Sequence, residues 1–163
     1  MSMTQIEQLI AVLSQNQVSF VLIGGLAANA HGSAQLTFDV DVCYERTPDN
    51  IQRLCIALEP FHPYLRGAPP GLPFRFDPPT VSAGLNFTLT TDLGDLDLLG
   101  EVSGLGSFDQ VVTASERIRL FGFAVWVLSL EGLIRSKKAA GRPKDLNALP
   151  ELEALLALRN QKS

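Results

Sequence analysis

At 163 residues, with 46% hydrophobic and 18% charged residues, the chain is long enough to bury a core and too apolar to stay disordered. A net charge of −4 and a sequence pI near 5.1 exclude broad coating of nucleic acid, which calls for a basic surface. No apolar run reaches membrane-spanning length, and the opening MSMTQIEQ lacks the basic start and apolar stretch of an export signal, so a cytoplasmic protein with no membrane contact is expected. Cys43 and Cys55 have no metal-ligand spacing and are expected to be reduced and packed.

Residues 4–16 have the pattern of an amphipathic helix: Thr4 as cap, Glu7 three residues on, and a stripe of Ile6, Leu9, Ile10 and Leu13. Residues 18–23 form an apolar strand that Gly24-Gly25 ends, and residues 26–31 have the small side chains of a closely packed helix. Residues 36–44 alternate as a strand, with Leu36, Phe38, Val40 and Val42 on one face and Asp39 and Asp41 on the other. Thr47 and Pro48 then start a helix whose apolar positions are Ile51, Leu54, Ile56 and Leu58.

Residues 60–80 are rich in proline but contain Phe61, Tyr64, Phe74 and Phe76, so they are expected to form a long structured loop, with a short strand near Phe74–Phe76. A hairpin is expected over residues 86–99, with its turn at Asp92–Gly94. A short helix or turn follows at 108–114, then two strands over 118–128 around Gly122. Ser129 caps a helix that Gly141 ends, and a last helix spans about 146–159. No repeat and no domain boundary breaks the pattern, so one domain over 1–163 is expected, with C-terminal helices from about 129.

The chemistry lies in the acids. Asp39 and Asp41 project from one strand face, where like charges repel and burial of either alone is costly. On the pair alone, two solvated acids on an exposed strand are an equally good reading. A cation is the other, and oxygen ligands on a rigid strand suit Mg²⁺. In the later run GDLDLLG, Asp95 sits near the turn, whereas Asp97 lies mid-strand between leucines and is the favoured third acid. Gly24-Gly25, between a strand and a helix start, reads as a phosphate cradle or, equally on its own, as a plain tight turn. The basic run SKKAAGRPKD offers Lys137 or Lys138, Arg142 and Lys144 to a triphosphate, or else forms a solvated face.

The order IGGLAANAHG, LTFDVDV, LNFTLTTDLGDLDLLGEV and LIRSKKAAGRPKDL resembles the DNA polymerase β-like nucleotidyltransferase superfamily, and more closely the small bacterial nucleotidyltransferases related to abortive-infection toxins. The resemblance implies an α/β (α+β) fold with a mixed sheet and flanking helices. It implies Gly24 and Gly25 as phosphate-binding residues and Asp39, Asp41 and Asp97 as catalytic and metal-binding acids. Lys137 and Arg142 would contact phosphate, with Mg²⁺ or Mn²⁺ as cofactor and an NTP as substrate. The acceptor would be an RNA 3′ end, a protein or a small molecule, and an antitoxin or a second copy is an expected partner. Gln35 stands where related sequences carry arginine, and Leu26 stands where many carry serine, so Ser33 is the candidate for the missing hydroxyl contact. His31 reads first as a local cap or packing residue. The alternative reading is a binding protein of the same fold without catalysis.

Overall fold

The structure, a computed structural model, describes residues 3–162. The elements in chain order are α1 (Gln5–Gln15), β1 (Phe20–Ile23), α2 (Gly24–Ala30), β2 (Asp39–Tyr44), α3 (Pro48–Leu58), β3 (Tyr64–Leu65), α4 (Pro78–Ala83), β4 (Phe87–Thr91) and β5 (Gly94–Leu99). They continue with β6 (Glu101–Val102), β7 (Gly106–Ser107), α5 (Phe108–Thr113), β8 (Ser115–Leu120), β9 (Phe123–Leu128), α6 (Leu130–Ala140) and α7 (Pro143–Gln161).

Seven strands form one mixed sheet in the order β3-β4-β5-β2-β1-β9-β8, and β6 pairs with β7 separately. The β2–β5 and β1–β9 pairs are parallel, and the rest of the sheet is antiparallel. The central strands are apolar on the core face: Val40, Val42, Leu96 and Leu98 are all buried. Helices α1 and α3 add Leu9, Ile10, Leu13, Ile51, Leu54 and Leu58 to that core. Thr4, Thr47 and Ser129 cap their helices as their sequence positions dictate, each accepting a backbone N–H from the first turn. Phe121 and Gly122 both have positive φ in the two-residue turn between β8 and β9, the conformation that matches strand twist in a tight hairpin.

Four expectations fail for local reasons. β2 starts at Asp39, not residue 36, and Leu36 and Phe38 are 84% and 80% exposed. The neighbouring strands explain this: β5 pairs with β2 only from Asp39 and β1 only from Asp41, so residues 36–38 overrun both ladders and the core beneath them. Phe74–Phe76 is not a strand, and the partner of β4 is Tyr64–Leu65. Within the proline-rich segment, Asp77 caps α4 by accepting the Thr80 N–H, with Pro78 in the first turn. Ile56 faces solvent, since it falls out of phase with Ile51, Leu54 and Leu58. Helix α7 begins at Pro143, three residues early, because the Asp145 carboxylate reaches back over its first turn and accepts from the Arg142 backbone N–H and guanidinium.

Both cysteines are free and buried, and burial pushes the Cys43 thiol up to about 12 and Cys55 to about 11. Neither is a nucleophile at neutral pH. Among the described residues no helix is long and apolar enough to cross a membrane.

Candidate active site

The parallel register of β2 and β5 sets Asp39 beside Asp95 and Asp41 beside Asp97. Each strand alternates, so the four acids share the face opposite Val40, Val42, Leu96 and Leu98. Asp41 and Asp97 lie in an open cleft of about 530 Å³. Gly24, Gly25, Lys137, Arg142 and Lys144 line the same cleft, and Leu36 stands at it. Asp39 does not line it, and neither does Ser33.

Gly24 opens α2 with φ +69°, and a Cβ there would stand 2.2 Å from Asp41 Oδ2. Both the backbone conformation and the close approach exclude a larger residue. A Cβ on Gly25 would fall 2.9 Å from Thr37 Oγ1. The glycine pair thus packs the start of α2 directly against the acid strand.

Asp41 is electrostatically out of balance. Its carboxyl is raised to about 7, first by burial, then by the charge of Asp97 and a hydrogen bond with it, and by Asp39, with Lys137 pulling the other way. Its Oδ1 is buried without a hydrogen-bond partner. A buried carboxylate oxygen that nothing in the protein satisfies is a natural place for a cation.

The opposite wall is basic and internally satisfied. Lys137 Nζ lies 3.4 Å from Asp145 Oδ1, and Arg142 donates to Asp145 through Nε at 2.6 Å and through Nη2 at 3.2 Å. Asp145 is buried, and its carboxyl is held below the usual range, chiefly by the Arg142 side chain. Lys138, the other candidate, points away and pairs with Glu153 on α7 at 3.7 Å.

Two residues are committed elsewhere. Ser33 donates its hydroxyl to Glu151 Oε1 at 2.5 Å, tying the loop after α2 to α7. Its side chain is engaged there instead of lining the cleft. His31 Nε2 bonds Leu128 O at 2.8 Å, the packing role expected of it.

The site also holds a residue that sequence reasoning missed. Arg66, just after β3, places Nη2 2.8 Å from Asp97 Oδ1 and Nε 3.3 Å from Asp95 Oδ2. Nothing near Arg66 in the sequence signals this, since its reach depends on β3 pairing with β4.

The donors fit a hard divalent cation: all are oxygens on adjacent strands, and one is buried and unpartnered. The three-acid cage is not drawn together, however. Among the described residues no group of three or more His, Cys, Asp or Glu side chains is placed to hold a metal ion. A second cavity of about 440 Å³ contains Glu116 and Arg159, but these two pair with each other through two hydrogen bonds.

No family model and no curated protein sequence matches the chain. Two solved structures match over almost its whole length. One is a protein from Thermotoga maritima assigned provisionally as a nucleotidyltransferase: TM-score 0.51, 14% identity, covering 98% of this chain and 97% of the other. The other is ANT(2″)-Ia in complex with adenylyl-2″-tobramycin: TM-score 0.55, 14% identity, covering 97% of each chain. At that identity the likeness is one of architecture, and the chain has the nucleotidyltransferase fold.

Proposed function

We propose that this chain is a single-domain, Mg²⁺- or Mn²⁺-dependent nucleotidyltransferase that moves an NMP from an NTP to an acceptor hydroxyl in the cytoplasm. The observation that carries this reading is the pairing of Asp41 with Asp97 on adjacent strands, at a cleft whose other side is Gly24, Lys137 and Arg142. Acids on one side and cations on the other suit a substrate that brings both a divalent cation and phosphates.

Asp41 and Asp97 would hold the cation, with Asp39 joining as a third acid once the repulsion is neutralised. The bound cation would supply charge neutralisation at the α-phosphate and on the leaving oxygen. Lys137 and Arg142, with Lys144, would offset charge on the β- and γ-phosphates. The α2 N-terminus at Gly24-Gly25 would offer unpaired N–H groups to phosphate oxygens. Asp97 would orient the acceptor hydroxyl and take its proton. The acceptor oxygen bonds to the α-phosphorus, the bond to the β-phosphate oxygen breaks, and pyrophosphate leaves.

The test is incubation with each α-³²P-labelled NTP, Mg²⁺ or Mn²⁺, and three acceptor pools: RNA, protein, and polyhydroxylated small molecules. Asp39→Asn/Asp41→Asn protein runs beside the wild type. The small-molecule arm is motivated by the adenylylated product bound to ANT(2″)-Ia. Label that moves only with wild-type protein supports transfer and identifies the acceptor class. A toxin held by an antitoxin partner or a second copy is a further reading: growth arrest on expression, relieved by the same substitutions, would support it.

One observation favours a binding protein without catalysis: Arg66 already neutralises Asp97. Under that reading no nucleotide is transferred, and a partner complex survives the Asp39→Asn/Asp41→Asn change.

A further inference from the structure

Arg66 lies outside every motif that marks the cleft and does not line it, yet the sheet brings it against one of the cleft's acids, Asp97. Its backbone N–H donates to Thr88 O at 3.0 Å, extending the β3–β4 ladder by one residue. Thr88 is the register partner of Asp97, and Asp97 of Asp41. One row across four strands, β3 as extended, β4, β5 and β2, therefore runs Arg66, Thr88, Asp97, Asp41. The guanidinium lies back along this row, with Nη2 also donating to Leu89 O at 2.7 Å.

The contact with Asp97 is close but poorly directed. Nη2 is 2.8 Å from Asp97 Oδ1, yet that oxygen and Arg66 Nε are both buried with no aligned hydrogen bond. The protein's other buttressing arginines differ. Arg142 forks onto Asp145 at 2.6 and 3.2 Å, and Arg159 makes two aligned bonds to Glu116. Arginine pairs that serve the fold use this planar, two-bond geometry. Arg66 instead sits between two acids, drawn by their charge, with hydrogen-bonding capacity left over on both sides. A group held that way neutralises the acids without being locked to them.

We infer that Arg66 and the divalent cation compete for Asp97, so that loading the cleft exchanges the guanidinium for the metal. The inference rests on the proposed reading of Asp41 and Asp97 as the cation site. Without a cation, Arg66 offsets the like charges of Asp95 and Asp97 on β5. With one bound, that service is redundant, and the guanidinium donors not held by Leu89 O are free for an anionic or hydroxyl-bearing group.

The experiment is direct Mn²⁺ binding to metal-free, nucleotide-free protein, read by electron paramagnetic resonance of free Mn²⁺. Thermal melts confirm that each variant is folded. Arg66→Gln is expected to tighten Mn²⁺ binding about twofold to fivefold, the range carried by an ion pair of this partial exposure. Arg66→Lys keeps a charge but cannot fork across Asp95 and Asp97, so it is expected to tighten binding by less. If Arg66→Gln does not fold, the sign of the change in Arg66→Lys decides. Unchanged or weaker Mn²⁺ binding in the folded variant overturns the inference. Asp97→Asn separates the two levels of argument. If it weakens Mn²⁺ binding while the Arg66 variants match wild type, the competition alone is wrong. If it leaves Mn²⁺ binding at the wild-type value, the cation-site reading falls, and the competition with it.

Discussion

On the basic side of the cleft, Asp145 is fully engaged: Arg142 bonds it twice by side chain and once by backbone, Lys137 adds a fourth contact, and its carboxyl is held below the usual range. On the acidic side, Asp41 has an unpartnered oxygen, like charges for neighbours and a carboxyl raised to about 7. The two walls contain similar groups and differ in whether the protein finishes satisfying them. The basic wall is structure first: its charges cap a helix and hold α6 against α7. The acidic wall is left incomplete, the feature on which the proposed cation site rests.

Asp41→Asn is the sharpest way to break this contrast. Removing one charge from the row should lower nucleotidyl transfer by on the order of 10³-fold, the scale seen when an electrostatic group is lost from a site. It should also raise the thermal midpoint by about 3 °C, because a buried, repelled carboxylate becomes neutral. Loss of activity with gain of stability is the signature of a functional acid. A variant that loses both would make Asp41 structural.

Gly24→Ala attacks the same acid from the backbone. The positive φ alone costs about 1–2 kcal/mol for a residue with a Cβ. The added methyl must also displace Asp41 Oδ2, which stands 2.2 Å from its position. The expected result is a lower melting midpoint together with a loss of transfer approaching that of Asp41→Asn. Full activity in Gly24→Ala would show that the close approach to Asp41 is incidental.

On the basic wall the pattern should invert. Asp145→Asn removes a buried charge that is fully paired and is expected to cost about 1.5 kcal/mol. The pH dependence has a definite sign. Because the folded carboxyl is depressed, its stabilisation is present above the unfolded value of about 3.9 and is lost as pH falls through the folded value. Wild-type stability should therefore drop more steeply below about pH 4 than that of Asp145→Asn, measured as melting midpoint against pH. Equal acid limbs would mean that the Arg142 fork contributes nothing in solution.

The contrast also explains what the sequence discloses. Helix caps, the alternation of β2 and β5 and the in-phase leucines are local patterns, and each decides a local structure. Asp41, Asp97 and Gly24 were legible because alternation and a strand-to-helix turn fix where strand side chains point and where the backbone must bend, whereas Lys137 was separated from Lys138 only by the family resemblance. Arg66 was not, because its place depends on which strand joins the edge at β4, and the two-residue β3 carries no periodic signal. Leu36 and Phe38 misled for a related reason: the alternation runs on past the point where the partner strands begin. Asp77 and Pro78 did carry a helix start, but the surrounding prolines obscured it.

Ser33 is the smallest test, and it bears on the proposed phosphate contacts. A serine before the acid strand was the natural substitute for the hydroxyl missing at Leu26. In the fold its Oγ serves Glu151, and Ala34 N–H shares that carboxylate at 3.2 Å. Ser33→Ala should cost about 1 kcal/mol or less, since Glu151 keeps the backbone partner. NTP affinity, measured by calorimetry, should stay within about twofold, well under the roughly tenfold per 1.4 kcal/mol that losing a phosphate hydrogen bond brings. A larger fall in affinity with unchanged stability would mean that the serine leaves Glu151 when nucleotide arrives, which would extend the phosphate-binding surface from α2 into the loop beyond it.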